Sequence, residues 1–149
     1  MENSYFYETR VGWMGNRHGY LQATGMPILE VSPPPEFHGQ QHTWTPEHLL
    51  VASVDACYMS TFTAIAEASK LDVISFTSSA IGKLEKVERG YEITEIILKP
   101  RLVIKYEYDT ERAERILEKA KRNCFISNSL KASVKLEPTI EFEEICSCA

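Results

Sequence analysis

The feature that most constrains this chain is a long, well-started apolar helix pattern beginning at Thr45 and running to about Lys70. Thr45-Pro46-Glu47 combines a side-chain cap, a proline at the first helical position and an acid in the first turn. Leu50, Val54, Cys57, Thr61 and Ile65 then recur at spacings of three and four, while Leu49, Ala52, Ala56 and Met59 keep the opposite side apolar. A helix apolar on both sides is expected to be buried on most of its girth, so other elements must wrap it. Asp55 interrupts that apolar surface.

The flanking segments read mostly as strands. Tyr5 to Met14 alternates, and Gly15-Asn16-Arg17-His18-Gly19 supplies turn chemistry for a hairpin. Tyr20–Thr24 and Ile28–Val31 are short strand candidates, and Ser32–Thr43, with three prolines in a row, is a loop. Ser75–Val87 and Tyr91–Tyr108 form two longer β-rich runs joined at Glu88-Arg89-Gly90, with Pro100 expected at an edge or bulge. Thr110–Arg122 is an amphipathic outer helix on the stripe Ala113, Ile116, Leu117 and Ala120, and Val134–Phe142 is a closing strand. This order predicts an α+β fold with mainly antiparallel sheets, in a single domain over 1–149.

Composition narrows the function. At 149 residues, 44% of them hydrophobic, one core is adequate without disulfide or metal staples, which leaves the four cysteines free for chemistry. A net charge of −5 argues against a nucleic-acid partner, because phosphate binding needs clustered Lys and Arg. The N-terminus has neither a basic start nor an apolar core, and no unbroken apolar run approaches the length of a membrane span, so a cytoplasmic protein with no membrane partner is expected. Neither a disulfide framework nor a zinc site suits the cysteine spacing: Cys57 is mid-helix, Cys124 ends a helix, and Cys146-x-Cys148 is a tail. No metal and no cofactor are expected.

A cysteine on a buried helix is by default a small core residue. The surroundings of Cys57 argue otherwise. Thr45-Pro46-Glu47-His48-Leu49-Leu50, followed by Ala56-Cys57, resembles the Asn-Pro-Glu-x-Leu helix of the OsmC/Ohr family, the osmotically inducible protein C and organic hydroperoxide resistance proteins. Cys124-Phe125-Ile126-Ser127-Asn128-Ser129-Leu130 resembles the second cysteine motif of that family, usually Cys-Pro-x-Ser, with Phe125 where proline is usual. Gly15-Asn16-Arg17-His18-Gly19 is similar to the turn that carries the active-site arginine of the Ohr branch, with Arg10 as the alternative arginine.

The resemblance implies the OsmC-like fold, an intertwined homodimer, and reduction of organic hydroperoxides. It makes Cys57 the peroxide-reacting thiol, Cys124 the resolving thiol, and Arg17 with Glu47 the polar pair that tunes Cys57. The reductant it implies is a dithiol, of lipoyl type or small. Leu50, Tyr58, Phe62 and Phe125 are candidates for an apolar substrate mouth.

Physical chemistry adds two constraints to that picture. Cys57 lies about three turns into its helix, too far from the N-terminus for the helix dipole to favour its thiolate, so a cation such as Arg17 is expected nearby. Glu47 lies ten residues earlier, about 15 Å along a straight helix, so a shared site between two chains is expected to bring it close. A redox sensor or small-ligand-binding protein without turnover, on the same fold, is the alternative reading. A cysteine hydrolase using His18, His38, His42 or His48 as base lacks a recognisable local signature.

Overall fold

The structure is a computed structural model and describes residues 3–143. It divides into two compact units, Met1–Leu49 and Leu50–Ala149.

The first unit holds a three-stranded antiparallel sheet in the order β1 (Arg10–Gly15), β2 (His18–Gln22) and β3 (Leu29–Val31). The tight turn between β1 and β2 uses positive φ at Gly15 and Asn16 and presents Arg17 at its end. The expected loop after β3 contains one 3-10 turn, Pro35–Phe37, and returns to the sheet where the Ser32 N–H donates to the Trp44 carbonyl at 3.0 Å. Thr45 then caps the first turn of α1 (Pro46–Ala68): its Oγ1 accepts from the His48 N–H at 3.0 Å.

In the second unit the body of α1 lies on the long hairpin of β4 (Val73–Val87) and β5 (Gly90–Ile104). Val54, Tyr58, Phe62 and Ala66, spaced four apart, form the buried stripe of α1, and Phe62 stacks on Phe76 of β4 with ring centroids 4.6 Å apart. Val51 sits so close over Gly82 that a side chain at position 82 has no room. The amphipathic helix α2 (Thr110–Asn123) buries Ala113, Ile116, Leu117 and Ala120 in the same core, joining Ile96, Leu98, Leu102 and Ile104 of β5. Arg112 of α2 donates to the Ser69 carbonyl at 2.7 Å and so closes off the end of α1.

Three expectations change. The closing strand is two strands, β6 (Ser133–Leu136) and β7 (Thr139–Phe142), and both run parallel to β5, so the larger sheet is mixed rather than mainly antiparallel. The cause is α2: a strand–helix–strand crossover returns the chain in its starting direction. Pro100 is not at a sheet edge but in the buried centre of β5, opposite Ser78 of β4. Leu98 directs its carbonyl to Glu137 N–H, and two residues on, Pro100 faces the same side, at the break between β6 and β7 where no donor is required.

The third change concerns α1. It is buried along one stripe and not on most of its girth, because the sheet and α2 cover one side; Ala56 and Met59 are exposed. By length and composition α1 could cross a membrane, but four of its side chains are core residues of this fold.

Candidate active site

Cys57 and Cys124 are brought together by the register of the two helices. Tyr58, next to Cys57, is fully buried and its hydroxyl donates to the Leu117 carbonyl at 2.9 Å, pinning α1 to α2. Cys124 continues the buried stripe of α2 after Leu117 and Ala120, so the same contact that fixes Tyr58 sets Cys57 beside Cys124. At Cys124 the backbone leaves the helix with φ −71° and ψ 114°, then re-forms a turn in which the Asn128 N–H donates to the Cys124 carbonyl at 3.0 Å. That turn leads into the 3-10 helix Ser127–Ser129. The backbone of Phe125 and Ile126, at its start, favours the Cys57 thiolate. Both cysteines are free thiols; Cys57 is half-buried and Cys124 is buried.

Burial and hydrogen bonding act differently on the two thiols. Burial opposes ionisation of Cys57, but donation from Ile126 N–H, the Cys124 thiol, the Thr61 hydroxyl and Phe125 N–H together outweighs it and holds Cys57 below the ordinary cysteine value. Burial dominates at Cys124 and raises it, and the neighbouring Cys57 adds to the rise. Ser127 Oγ, buried and without an ordinary hydrogen-bond partner, lies beside the Cys124 thiol and eases that penalty. Thus the half-exposed thiol ionises first while the buried one keeps its proton.

Arg17 and Glu47 belong to the first unit, where they line one cavity of about 590 Å³ with Val11, Trp13, His18 and Pro46. Glu47 carries a buried Oε2 with no hydrogen-bond partner, and Arg17 is exposed, with Nη1 donating to the Phe37 carbonyl at 3.1 Å. Arg10, the alternative arginine, pairs with Glu8 at 3.3 Å on the surface. Of the four residues expected at an apolar mouth, Tyr58 and Phe62 are core side chains at 0% exposure, out of reach of a ligand. Leu50 is half-buried and Phe125 is 81% exposed. Among the described residues no group of three or more His, Cys, Asp or Glu could hold a metal. Cys146 and Cys148 lie outside the described residues.

A family model described as OsmC-like protein matches residues 38–139, which include Glu47, Cys57 and Cys124. The chain belongs to the OsmC/Ohr family. Peroxiredoxin OsmC of Escherichia coli (strain K12) is 31% identical over 101 residues, covering 68% of this chain and 69% of that protein. The uncharacterized protein YmaD of Bacillus subtilis is 27% identical over 142 residues, 92% of this chain and 93% of its own length. Among solved structures, an OsmC-like protein of unknown function from Vibrio cholerae superposes with a TM-score of 0.83 at 24% identity, covering 91% of this chain and 99% of its own. An organic hydroperoxide resistance protein from Elizabethkingia anophelis reaches 0.77 at 23% identity, covering 96% and 100%. These two likenesses establish the OsmC-like fold.

For a member of the OsmC/Ohr family, a proximal thiol pair with one activated and one protected partner supports cysteine-based redox activity. The groups that lower Cys57 include three that sequence reasoning missed. Thr61 had a signal: it lies one helical turn beyond Cys57 on the same stripe. The N–H groups of Phe125 and Ile126 had only an indirect one, the Ser127-Asn128-Ser129 cluster that favours a turn directly after Cys124. The donors that lower Cys57 within this chain are neutral groups of the second unit.

Proposed function

We propose that this protein is a thiol peroxidase that reduces organic hydroperoxides in the cytoplasm, working as one domain. The Cys57 thiolate attacks the terminal oxygen of ROOH, the O–O bond breaks, and the leaving alkoxide takes a proton and departs as ROH. Cys57 is left as a sulfenic acid. The Cys124 sulfur then displaces its hydroxyl, which leaves as water, and a Cys57–Cys124 disulfide forms. An external dithiol, of lipoyl type or small, returns both thiols and is itself oxidised to a disulfide.

The observation that carries this reading is the proximal Cys57–Cys124 pair, with Cys57 biased toward thiolate and Cys124 toward thiol. Arg17 with Glu47 is assigned as the polar pair that tunes Cys57. Their shared cavity, the unpartnered Glu47 oxygen and the helical distance to Cys57 favour a homodimer in which one chain's cavity serves the other chain's thiol. Leu50 and Phe125 are assigned to an apolar rim that prefers organic peroxides to hydrogen peroxide. The test is consumption of cumene hydroperoxide with a dithiol. Wild-type protein should turn over, and Cys57→Ser should not. Oxidation of one equivalent followed by no turnover in excess dithiol would instead identify a redox sensor.

A further inference from the structure

We propose that the small cavity beside the β1–β2 turn, walled by Arg17, His18, His38 and Asn16, binds a small oxyanion, a carboxylate or a phosphate.

The cavity has a volume of about 250 Å³ and lies wholly within the first unit. That is below the usual range for sites that enclose drug-sized ligands, so it suits a compact group. One side of its wall is the β1–β2 hairpin, and the other is the loop after β3. Gly39 lets that loop fold back on itself, because a side chain there would overlap the Pro33 carbonyl. Asn16 and His38 are both held in left-handed backbone, at φ 49° and 69°, which asparagine and histidine tolerate better than most residues.

The N–H groups of the loop are already spent. Those of His38 and Gly39 go to the Pro35 and Pro34 carbonyls at 3.1 and 3.0 Å, and that of Gln40 goes to Ser32 Oγ at 3.1 Å. A ligand must therefore be held by side chains. Arg17 uses one N–H of its fork on the Phe37 carbonyl at 3.1 Å and makes no ion pair among the described residues. Arg10, the other arginine of the first unit, is paired with Glu8. A guanidinium meets carboxylate and phosphate oxygens through parallel N–H bonds. His18 Nε2 is buried without a hydrogen-bond partner, and the acid that faces it, Glu30 on β3, stands 3.6 Å away and outside the cavity wall. His38 and the Asn16 amide add further N–H donors. Among the described residues no Asp or Glu lines the cavity, so an incoming anion meets a cation and no competing carboxylate.

Arg17 and His18 also wall the larger cavity that holds Glu47. An oxyanion in the small cavity thus draws on the same guanidinium that is paired with Glu47 in the proposed function. This consequence for turnover rests on that reading; binding itself does not.

His18, His38, His42 and His48 are the four histidines of the chain, so their imidazole proton signals in NMR read the site directly. Sodium phosphate or sodium acetate replaces chloride stepwise at constant pH and ionic strength, with signals assigned through His18→Gln and His38→Gln. His18 and His38 should shift saturably in the millimolar range while His42 and His48 stay in place. Arg17→Gln should weaken binding by about tenfold, as loss of a hydrogen-bonding charge implies. His38→Asn, which suits the left-handed backbone, should weaken it by about threefold, and Arg10→Gln should leave it unchanged. Shifts without saturation, equal shifts at all four histidines, or wild-type affinity in Arg17→Gln would overturn the proposal.

Turnover separates the two sources of such an oxyanion. If it is the carboxylate of the peroxide itself, His38→Asn slows consumption of a carboxylate-bearing hydroperoxide and spares an uncharged one. If it is a free anion, phosphate slows wild-type consumption of cumene hydroperoxide and slows His38→Asn less. The NMR titration needs no peroxide, so saturable shifts in a protein that leaves cumene hydroperoxide intact would sink the peroxidase reading alone.

Discussion

The Cys57 and Cys124 thiols are neighbours, yet their surroundings drive their ionisation in opposite directions. Four donors around the half-exposed Cys57 outweigh its burial, and burial prevails at Cys124. A nucleophile that ionises early beside a partner that stays protonated is the division of labour a two-thiol redox cycle requires, since two adjacent thiolates would repel each other.

The pH dependence follows with a definite sign. A thiol held below its ordinary value gains thiolate earlier as pH rises, so Cys57 should alkylate with a midpoint below that of a free cysteine, and Cys124 with one above it. Reactivity of Cys57, and the stability its thiolate adds to the folded chain, should both be lost as pH falls through its folded midpoint. Mass-spectrometric quantification of each alkylated peptide across pH checks this order. Coincident midpoints for the two cysteines would contradict it.

Tyr58 is the link between helix packing and thiol geometry. Tyr58→Phe keeps the ring but removes the donor to the Leu117 carbonyl, which retains the helical N–H of Lys121. A loss of about 0.5–1.5 kcal/mol in urea unfolding is expected. Because the same bond sets α1 against α2, disulfide formation after peroxide addition should also slow, which non-reducing electrophoresis of quenched samples would follow. A variant as stable as the parent that closes the disulfide as fast would show that packing alone holds the register.

Much of this architecture was legible in the residues because it depends on local patterns. The cap at Thr45 and the spacing of Leu50, Val54, Cys57, Thr61 and Ile65 announce α1, although its buried stripe is Val54, Tyr58, Phe62 and Ala66, and the stripe from Ala113 to Ala120 announces α2. The parallel strands were less legible, although a strand, an amphipathic helix and a second strand in succession is the pattern of a crossover. Tyr58 and Phe62 looked like pocket residues because their apolar character does not say which side of α1 the sheet covers. The backbone donors to Cys57 were least visible, since a peptide N–H carries no residue identity and its direction depends on how the turn after Cys124 folds.

The shared-site arrangement makes a prediction that single variants cannot give. If Arg17 and Glu47 of one chain serve Cys57 of the other, a hybrid of a Cys57→Ser chain with an Arg17→Ala chain contains one complete site and one doubly defective site. Random reassociation makes half of all dimers hybrids, so the mixture should regain roughly a quarter of wild-type turnover from two nearly inactive parents. The same recovery is expected with Glu47→Ala in place of Arg17→Ala. Turnover of the mixture no greater than the mean of its parents would place all these residues in one chain.

Phe125 offers the most direct way to ask what the departure from the usual Cys-Pro-x-Ser motif does. Its side chain is exposed, but its N–H is one of the donors to the Cys57 sulfur, and proline has no N–H to give. Phe125→Pro should therefore raise the Cys57 midpoint and slow its alkylation near neutral pH several-fold, by the same charge-assisted logic that applies to any donor lost from a thiolate. Restricting the turn has a second, opposing effect: proline lowers the entropy of the unfolded chain and should raise thermal stability where its φ is compatible. A variant that is more stable yet less reactive would separate the two roles of this position. Unchanged reactivity would mean that the Ile126, Thr61 and Cys124 donors suffice, and that Phe125 matters only through its exposed ring.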